Sequence, residues 1–189
     1  GDIVKCLHQV DGCQLLGLGQ DWKYERQGLV SLKRIVEALR GLQLPAKDLL
    51  SFQRWVMFNY LIGNSDAHAK NISVLIDETG YALAPFYDLL CVQVYGDDRL
   101  ALYIGDEDQY ASIGAHSWEA FCEDCGFSVK STMTLFRKMA QDVAKAWATV
   151  TAQATVDFAL SRPELGLIQS ITMVIETNCS AALSMTTKR

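Results

Sequence analysis

Residues 63–71 read Gly-Asn-Ser-Asp-Ala-His-Ala-Lys-Asn, and this stretch decides how the rest of the chain is interpreted. It lies between an apolar helical pattern at residues 52–62 and an apolar strand pattern at residues 72–76. A carboxylate, an imidazole, an amine and two amides therefore share one short loop on a buried scaffold. Polar loops held in this way are typical of functional sites. We predict that residues 63–71 carry the chemistry of the protein.

The composition of the 189 residues predicts one globular domain or one large lobe, because half of the residues are hydrophobic. Seventeen Lys and Arg residues against 22 Asp and Glu residues give a net charge of −5, so we expect no direct binding of nucleic acid by this chain. The apolar runs are broken well short of the roughly 18 residues of a membrane span. We therefore expect a cytoplasmic protein that does not associate with membranes.

The six cysteines do not form a metal-binding pattern. Cys122 and Cys125 are the only close pair, and a structural zinc site needs a second pair or a histidine pair. We predict reduced thiols on a helix.

Helical periodicity dominates the chain. Apolar residues recur at near-helical spacing over residues 3–16, and the segment Trp22-Lys23-Tyr24-Glu25 is predicted to be a loop whose aromatic side chains pack. Ser31 is placed to cap a helix that reaches about residue 42. Pro45 opens the next helix, which is so uniformly apolar to residue 62 that both of its faces must be covered. Three further helices are predicted at residues 117–125, 128–160 and 163–183.

The β-structure is predicted to be one small hairpin. Apolar strands at residues 72–76 and 81–84 flank an acidic, glycine-terminated turn at residues 77–80. The hairpin would bring Asp88 back toward the polar loop, whereas residues 89–104 are partly β-like and residues 105–114 form an irregular acidic loop. The predicted fold class is mostly α (α+β), a helical bundle with a hairpin that carries Asp88.

The spacing of the polar residues favours phosphoryl transfer. In protein kinases a carboxylate orients the acceptor hydroxyl, and an amide five residues later and a more distant carboxylate hold Mg²⁺. Asp66 would be the base, and Asn71 and Asp88 would be the metal ligands for Mg·ATP. Lys70 would lie beside the transferring phosphoryl group, and His68 would either contact a phosphate or hold the loop.

A structural explanation stays open for each of these residues. A capped turn with surface acids accounts for Asp66 and Asn71, and a solvated helix start accounts for Asp88. The order of helix, polar loop, strand, turn, strand and Asp is more specific than the Asp-x4-Asn spacing alone, and it favours the kinase interpretation.

Residues 63–71, followed by Leu-Ala-Pro-Phe-Tyr-Asp-Leu-Leu at residues 83–90, closely resemble the C-terminal kinase region of the HipA family. This family consists of bacterial serine/threonine kinase toxins of toxin–antitoxin pairs. Residues 8–14 and 23–25 resemble further segments of the family, so the resemblance extends to about residue 127. It implies a kinase-like C-terminal lobe.

The resemblance also implies roles for individual residues, with ATP and Mg²⁺ as cofactors. Asp66 would be the catalytic residue, and Asn71 and Asp88 the metal ligands. The nucleotide-contacting stretches would contain His68, Lys70, Tyr87 and, near the adenine, Gln9. Members of the family phosphorylate a serine of an aminoacyl-tRNA synthetase, which arrests translation and favours dormancy and persistence. They pair with a helix-turn-helix antitoxin that binds operator DNA.

The chain also departs from a complete kinase. Gly17 and Gly19 do not form a phosphate-covering loop, and no strand lysine precedes residue 60. We therefore expect residues 1–189 to be a C-terminal lobe whose N-terminal lobe is supplied in cis or in trans, and which is inactive alone. Two alternatives remain: a half-kinase or degenerate homologue that acts as a binding module, and a small-molecule or lipid kinase.

Overall fold

The computed structural model describes residues 7–78 and 80–186. Short 3₁₀ turns join its helices and strands, among them Glu25–Gln27, Ala69–Asn71 and Gln93–Tyr95. The helices and strands are, in chain order, β1 (His8–Asp11), α1 (Gly12–Leu15), α2 (Leu32–Gly41), α3 (Ala46–Leu61), β2 (Ser73–Asp77), β3 (Gly80–Leu83), β4 (Arg99–Ile104), β5 (Glu107–Gln109), α4 (Ala115–Cys125), α5 (Val129–Asp157) and α6 (Arg162–Ser184).

The centre of the fold is α3, as its uniformly apolar sequence predicts. Helices α2, α5 and α6 pack against it, and Phe52, Met57 and Leu61 are fully buried. An aromatic cluster extends this core from Tyr60 to α4 and α5, where the ring centroids of Trp118 and Phe136 lie 4.2 Å apart. Helix α3 is therefore a rigid support, and it ends where the polar loop begins.

The prediction of a helix over residues 3–16 is wrong for the part that the structure describes. His8–Asp11 is a strand, β1, which pairs antiparallel with β2, and only Gly12–Leu15 is helical. The start of α1 is set by Asp11, whose carboxylate accepts the Gln14 N–H while the Gln14 side chain accepts the Asp11 N–H. Residues 3–6 of the predicted helix lie outside the described residues.

The prediction of a single hairpin is also incomplete. The predicted hairpin is present as β2–β3, but β1 adds a third strand, and β4 pairs with β5 in a second antiparallel sheet. Strand β5 and a 3₁₀ turn lie within residues 105–114, which the sequence assigned to an irregular loop. The second sheet was missed because β5 is only three residues long and acidic, with no apolar alternation.

The predicted helix boundaries are mostly right. Ser31 and Ser128 cap α2 and α5, and Gly126 ends α4 in the left-handed conformation. Helix α4 begins at Ala115 instead of Ser117, because Gly114 is its N-cap and Ser117 instead accepts the Gly114 N–H. Helix α5 ends at Asp157, three residues earlier than predicted. Among the described residues, no helix is long and apolar enough to cross a membrane.

Candidate active site

The polar loop, residues 63–71, begins at a glycine that the packing requires. Gly63 has a φ of +73°, and a Cβ there would lie 2.5 Å from Val174 Cγ1 of α6. The loop backbone is then tied to later parts of the chain, since Gln93 N donates to Gly63 O at 2.9 Å and Ala101 N donates to Ser65 O at 2.8 Å. The first half of the polar loop is therefore held by α6, the 93–95 turn and β4.

The second half of the polar loop rests on the N-terminal segment. Gly12 N donates to Ile72 O at 2.8 Å, and Ala69 N donates to Lys23 O at 3.2 Å. A Cβ at position 12 would lie 2.5 Å from Ala69 O, so the backbones touch at this point. Most side chains of the polar loop are buried, and only those of Asp66 and Lys70 are partly exposed. The loop thus presents one carboxylate and one amine.

The Asp66 carboxylate is held by a residue from a distant part of the sequence. Tyr24 Oη donates to Asp66 Oδ1 at 2.9 Å. The Tyr24 ring also contacts the His68 ring edge to face, with 5.6 Å between the ring centroids. Sequence analysis had assigned Tyr24 to packing, so its polar contact with the predicted catalytic residue is new.

Asn71 and Asp88, the two predicted metal ligands, are joined by a hydrogen bond. Asn71 Nδ2 donates to Asp88 Oδ2 at 2.6 Å, and Asn71 Oδ1 accepts the His68 N–H at 2.9 Å. Asp88 adopts a φ of +57°, which is uncommon for a residue other than glycine. Asn64 Nδ2 donates to Asp88 O at 2.9 Å and to Asn59 Oδ1 at 2.7 Å. The buried Asn64 side chain therefore fixes the unusual backbone at Asp88.

The chemistry of this pair fits Mg²⁺. Both side chains offer oxygen ligands, which this hard cation prefers, and Mg²⁺ takes most of its remaining ligands from water and phosphate. Asn71 Oδ1 keeps a second lone pair beside the one that accepts the His68 N–H. Among the described residues, no group of three or more His, Cys, Asp and Glu side chains is placed to hold a metal ion. Cys122 and Cys125 are buried on α4 and form no disulfide with any cysteine that the structure describes.

The His68 side chain of the polar loop is buried. Burial lowers the pKa of its imidazole and nearby Lys23 lowers it further, while Asp66 and Asp88 act in the opposite direction. His68 Nδ1 and the Ser65 hydroxyl are buried without a hydrogen-bond partner in the described part of the chain. Burial therefore disfavours a positive charge on His68, and the ring's contact with Tyr24 joins the polar loop to the N-terminal segment.

Lys70 is engaged by an acid that the sequence analysis did not select. Lys70 Nζ lies 2.5 Å from Asp11 Oδ2, and this hydrogen bond raises the pKa of Lys70. The Tyr87 hydroxyl bonds to Lys70 O and lies 2.7 Å from Ser73 Oγ. Lys70, Tyr87 and β1 therefore form one hydrogen-bonded unit beside Asn71.

Gln9 is the predicted site residue that the structure leaves apart. It is exposed on β1, opposite Leu75, and among the described residues its side chain makes no hydrogen bond to the other predicted site residues. It occupies the same strand as Asp11, two residues away, so the strand's alternation places both on one face of the sheet.

Three residues of the site outside the polar loop were missed by the sequence analysis: Asp11, Gly12 and Tyr24. Asn64 was included as a member of the loop but was given no role of its own. The spacing Asp11-x-x-Gln14 is a capping signal that predicts the start of α1 and so could have drawn attention to Asp11 and Gly12. No local pattern marks Tyr24, because its partner lies 42 positions later.

Comparison with known proteins gives consistent matches. The family model described as HipA-like C-terminal domain matches residues 2–147. Y4mE of Sinorhizobium fredii is 34% identical over 151 residues, which cover 78% of this chain and 36% of the relative. The serine/threonine-protein kinase toxin HipA of Shewanella oneidensis is 32% identical over 157 residues, which cover 76% of this chain and 36% of the relative.

A solved structure also matches over most of the chain. It is the complex of the Shewanella oneidensis MR-1 toxin–antitoxin system, with HipA, HipB and operator DNA. The TM-score is 0.83 at 27% identity, and the match covers 92% of this chain and 43% of the matched chain. The chain thus spans little more than a third of the length of the two relatives.

Proposed function

Because this chain belongs to the HipA-like C-terminal domain family, we propose that it supplies the catalytic and metal-binding half of an ATP-dependent serine/threonine protein kinase. The observation that carries the proposal is the hydrogen bond of 2.6 Å between Asn71 and Asp88, two residues 17 positions apart on the two sides of the β2–β3 hairpin. This bond supports the proposal because it joins Asp88 to the polar loop that contains both Asp66 and Asn71.

In this proposal the two carboxylates have separate roles. Asp66 orients the acceptor hydroxyl and takes its proton as the hydroxyl oxygen bonds to the γ-phosphorus and the bond to the ADP oxygen breaks. Asn71 and Asp88 would hold Mg²⁺, which would neutralise charge on the phosphates. Lys70 is a cation at the edge of the site, and its pairing with Asp11 sets where its charge lies. Tyr87 and Gln9 would contact the nucleotide.

We propose the substrate and partners by analogy with the family. The acceptor would be a serine or threonine hydroxyl of a protein, such as an aminoacyl-tRNA synthetase. A helix-turn-helix antitoxin would be the partner, and the protein would act in the cytoplasm as a toxin that favours persistence. The support is that one relative is named a serine/threonine kinase toxin and that the matched solved structure is a complex with HipB and operator DNA.

A second lobe is part of the proposal. Phosphoryl transfer in kinases also requires a second lobe that covers the phosphates and binds adenine. The described residues here form mostly α-helices. We propose that residues outside these 189, in cis or in trans, supply this N-terminal lobe. The isolated chain would then bind ATP weakly and transfer no phosphate.

The proposal is tested on the full-length natural protein by isothermal titration with Mg·ATP and by transfer of labelled phosphate. We expect Asp88→Asn to weaken Mg·ATP binding by about tenfold or more, because a charged metal ligand is lost. Asp66→Asn should leave binding nearly unchanged and lower transfer by about 10³-fold. Asp142→Asn is the matched control, since this exposed acid pairs with Lys138 on α5, and it should change neither quantity.

Two results would overturn the proposal. If Asp88→Asn binds Mg·ATP as tightly as the parent protein and the parent transfers no phosphate, the chain is a docking module. If labelled phosphate from a cell extract appears on metabolites or lipids and on no protein, the acceptor class is wrong.

A further inference from the structure

We infer that Tyr24 is a positioning residue for phosphoryl transfer, because its hydroxyl holds the Asp66 carboxylate in one orientation. The inference rests on the proposed function, in which Asp66 receives the proton of the acceptor hydroxyl. It adds a residue from the N-terminal segment that lies outside the polar loop.

The contact divides the two oxygens of Asp66 between two tasks. Tyr24 Oη donates to Oδ1 at 2.9 Å, and in the described part of the chain it is the one hydrogen-bond donor to the Asp66 side chain. Oδ2 therefore remains available to the acceptor hydroxyl. A carboxylate without the Tyr24 bond would rotate about χ1 and χ2, and only a fraction of the molecules would hold Oδ2 in the productive position.

The tyrosine ring is itself held from several sides. The Arg26 guanidinium lies over the ring, with Cζ 4.0 Å from its centroid, and Lys23 Nζ lies 4.8 Å from the centroid. The edge-to-face contact with His68 joins the ring to the polar loop. Cations over an aromatic face and aromatic pairs of this geometry are attractive. These contacts fix the direction of the hydroxyl.

The backbone around Tyr24 is anchored as well. Lys23 O accepts the Ala69 N–H at 3.2 Å, which joins this segment directly to the polar loop. Glu25 Oε2 accepts the Tyr103 N–H at 2.7 Å, and Tyr24 N donates to Gln27 Oε1 at 3.1 Å. The segment is therefore fastened to β4 and to the polar loop on both sides of Tyr24.

Packing alone does not account for this tyrosine. Tyr24 is only partly buried and does not belong to the buried hydrophobic core, which is formed by residues such as Trp55, Phe121 and Phe136. Phenylalanine would make the same ring contacts. The feature that requires tyrosine is the hydroxyl, and its hydrogen-bond partner is Asp66.

The test compares Tyr24→Phe with Tyr95→Phe in the full-length natural protein. The Tyr95 side chain is 78% exposed, so the control removes the same hydroxyl from a side chain at the surface and leaves the backbone of the 93–95 turn unchanged. We expect Tyr24→Phe to lower kcat for phosphate transfer by about ten- to a hundredfold, while KM for Mg·ATP changes less than about twofold. In an Asp66→Asn background Tyr24→Phe should have no further effect, because it acts through Asp66. Tyr95→Phe should leave kcat unchanged.

The outcomes separate this inference from the proposed function. If Asp66→Asn abolishes transfer but Tyr24→Phe keeps the full kcat, or lowers kcat equally in both backgrounds, the positioning role is wrong and the kinase assignment stands. If the parent protein transfers no phosphate, a crystal structure of Tyr24→Phe still decides the point. The Asp66 carboxylate should be rotated or occupy two orientations there, and an unchanged single orientation would overturn the inference.

Discussion

Gly12→Ala gives the sharpest test of how the site is assembled. The backbone of Gly12 lies against that of Ala69, within the loop that carries Asp66 and Asn71. The added Cβ would lie 2.5 Å from Ala69 O and 3.3 Å from Ala69 C, where ordinary contacts begin at about 3.4 Å. Both neighbouring atoms are backbone, so no side chain can rotate away, and one segment must move by roughly 1 Å.

The expected cost follows from this overlap. Inserting a methyl group into a well-packed region destabilises a protein by about 1–3 kcal/mol, which lowers Tm by roughly 2–12 °C for a domain of this size. Movement of Ala69 also displaces the polar loop, and misplacement of a catalytic group by about 1 Å reduces transfer by up to about 10²-fold. The rate of phosphate transfer should therefore fall by more than the small fraction of unfolded protein can explain.

Urea unfolding measures the first effect, and phosphate transfer by the full-length protein measures the second. Gly166→Ala is the matched control, because Gly166 lies within α6 with no atom within 4 Å of the added Cβ. That change should stabilise the protein by up to about 1 kcal/mol, since alanine favours helices. A Gly12→Ala protein as stable as the parent would refute the close contact between the N-terminal segment and the polar loop.

Two further predictions concern the support of the site. Asn64→Ala should lower the free energy of unfolding by about 1–3 kcal/mol, because Asp88 O and the buried Asn59 Oδ1 both lose their donor; unchanged urea unfolding would show that Asn64 does not support Asp88. Burial raises the pKa of Glu25 from 4.5 to about 7, with Asp106 and Asp124 adding to the effect against the hydrogen bond from Tyr103. The raised pKa means that the folded state holds the proton more tightly, so this stabilisation is complete below about pH 4.5 and is lost as the pH rises to about 7. Relative to the Glu25→Gln protein, the parent protein should lose up to about 3 kcal/mol of stability between about pH 4.5 and 7. Urea unfolding at several pH values measures this loss, and parallel pH profiles of the two proteins would contradict the raised pKa of Glu25.

Local patterns predicted much of the scaffold. The uniform apolar character of residues 52–62 correctly identified the central helix α3, and the turn at residues 77–80 correctly placed the β2–β3 hairpin. The order of the elements likewise indicated that Asp88 returns to the polar loop that contains Asp66 and Asn71, and the structure joins Asp88 to Asn71 by a hydrogen bond. Their roles in catalysis and metal binding stay predictions. These sequence patterns can be recognised because the residues that form them are neighbours in sequence or are joined by one hairpin.

Other features depend on partners that are far apart in the chain. Residues 8–11 have the spacing of a helix but form strand β1, because β2 offers an edge to pair with more than 60 positions later. The acidic residues 107–109 form a strand for a similar reason, since β4 supplies their hydrogen bonds. Local preference is a weak determinant in such segments, and tertiary pairing overrides it.

The sequence by itself therefore determined the polar loop, the helix that supports it and the family to which the chain belongs. Only the tertiary structure decided that Tyr24 reaches Asp66, that Asp11 pairs with Lys70 and that Asn64 fixes Asp88. The physical reason is that periodicity records which face of an element is apolar, but not which distant element will cover it. The nine residues of the polar loop are adjacent in sequence, and the geometry of the loop is set by contacts from the rest of the chain.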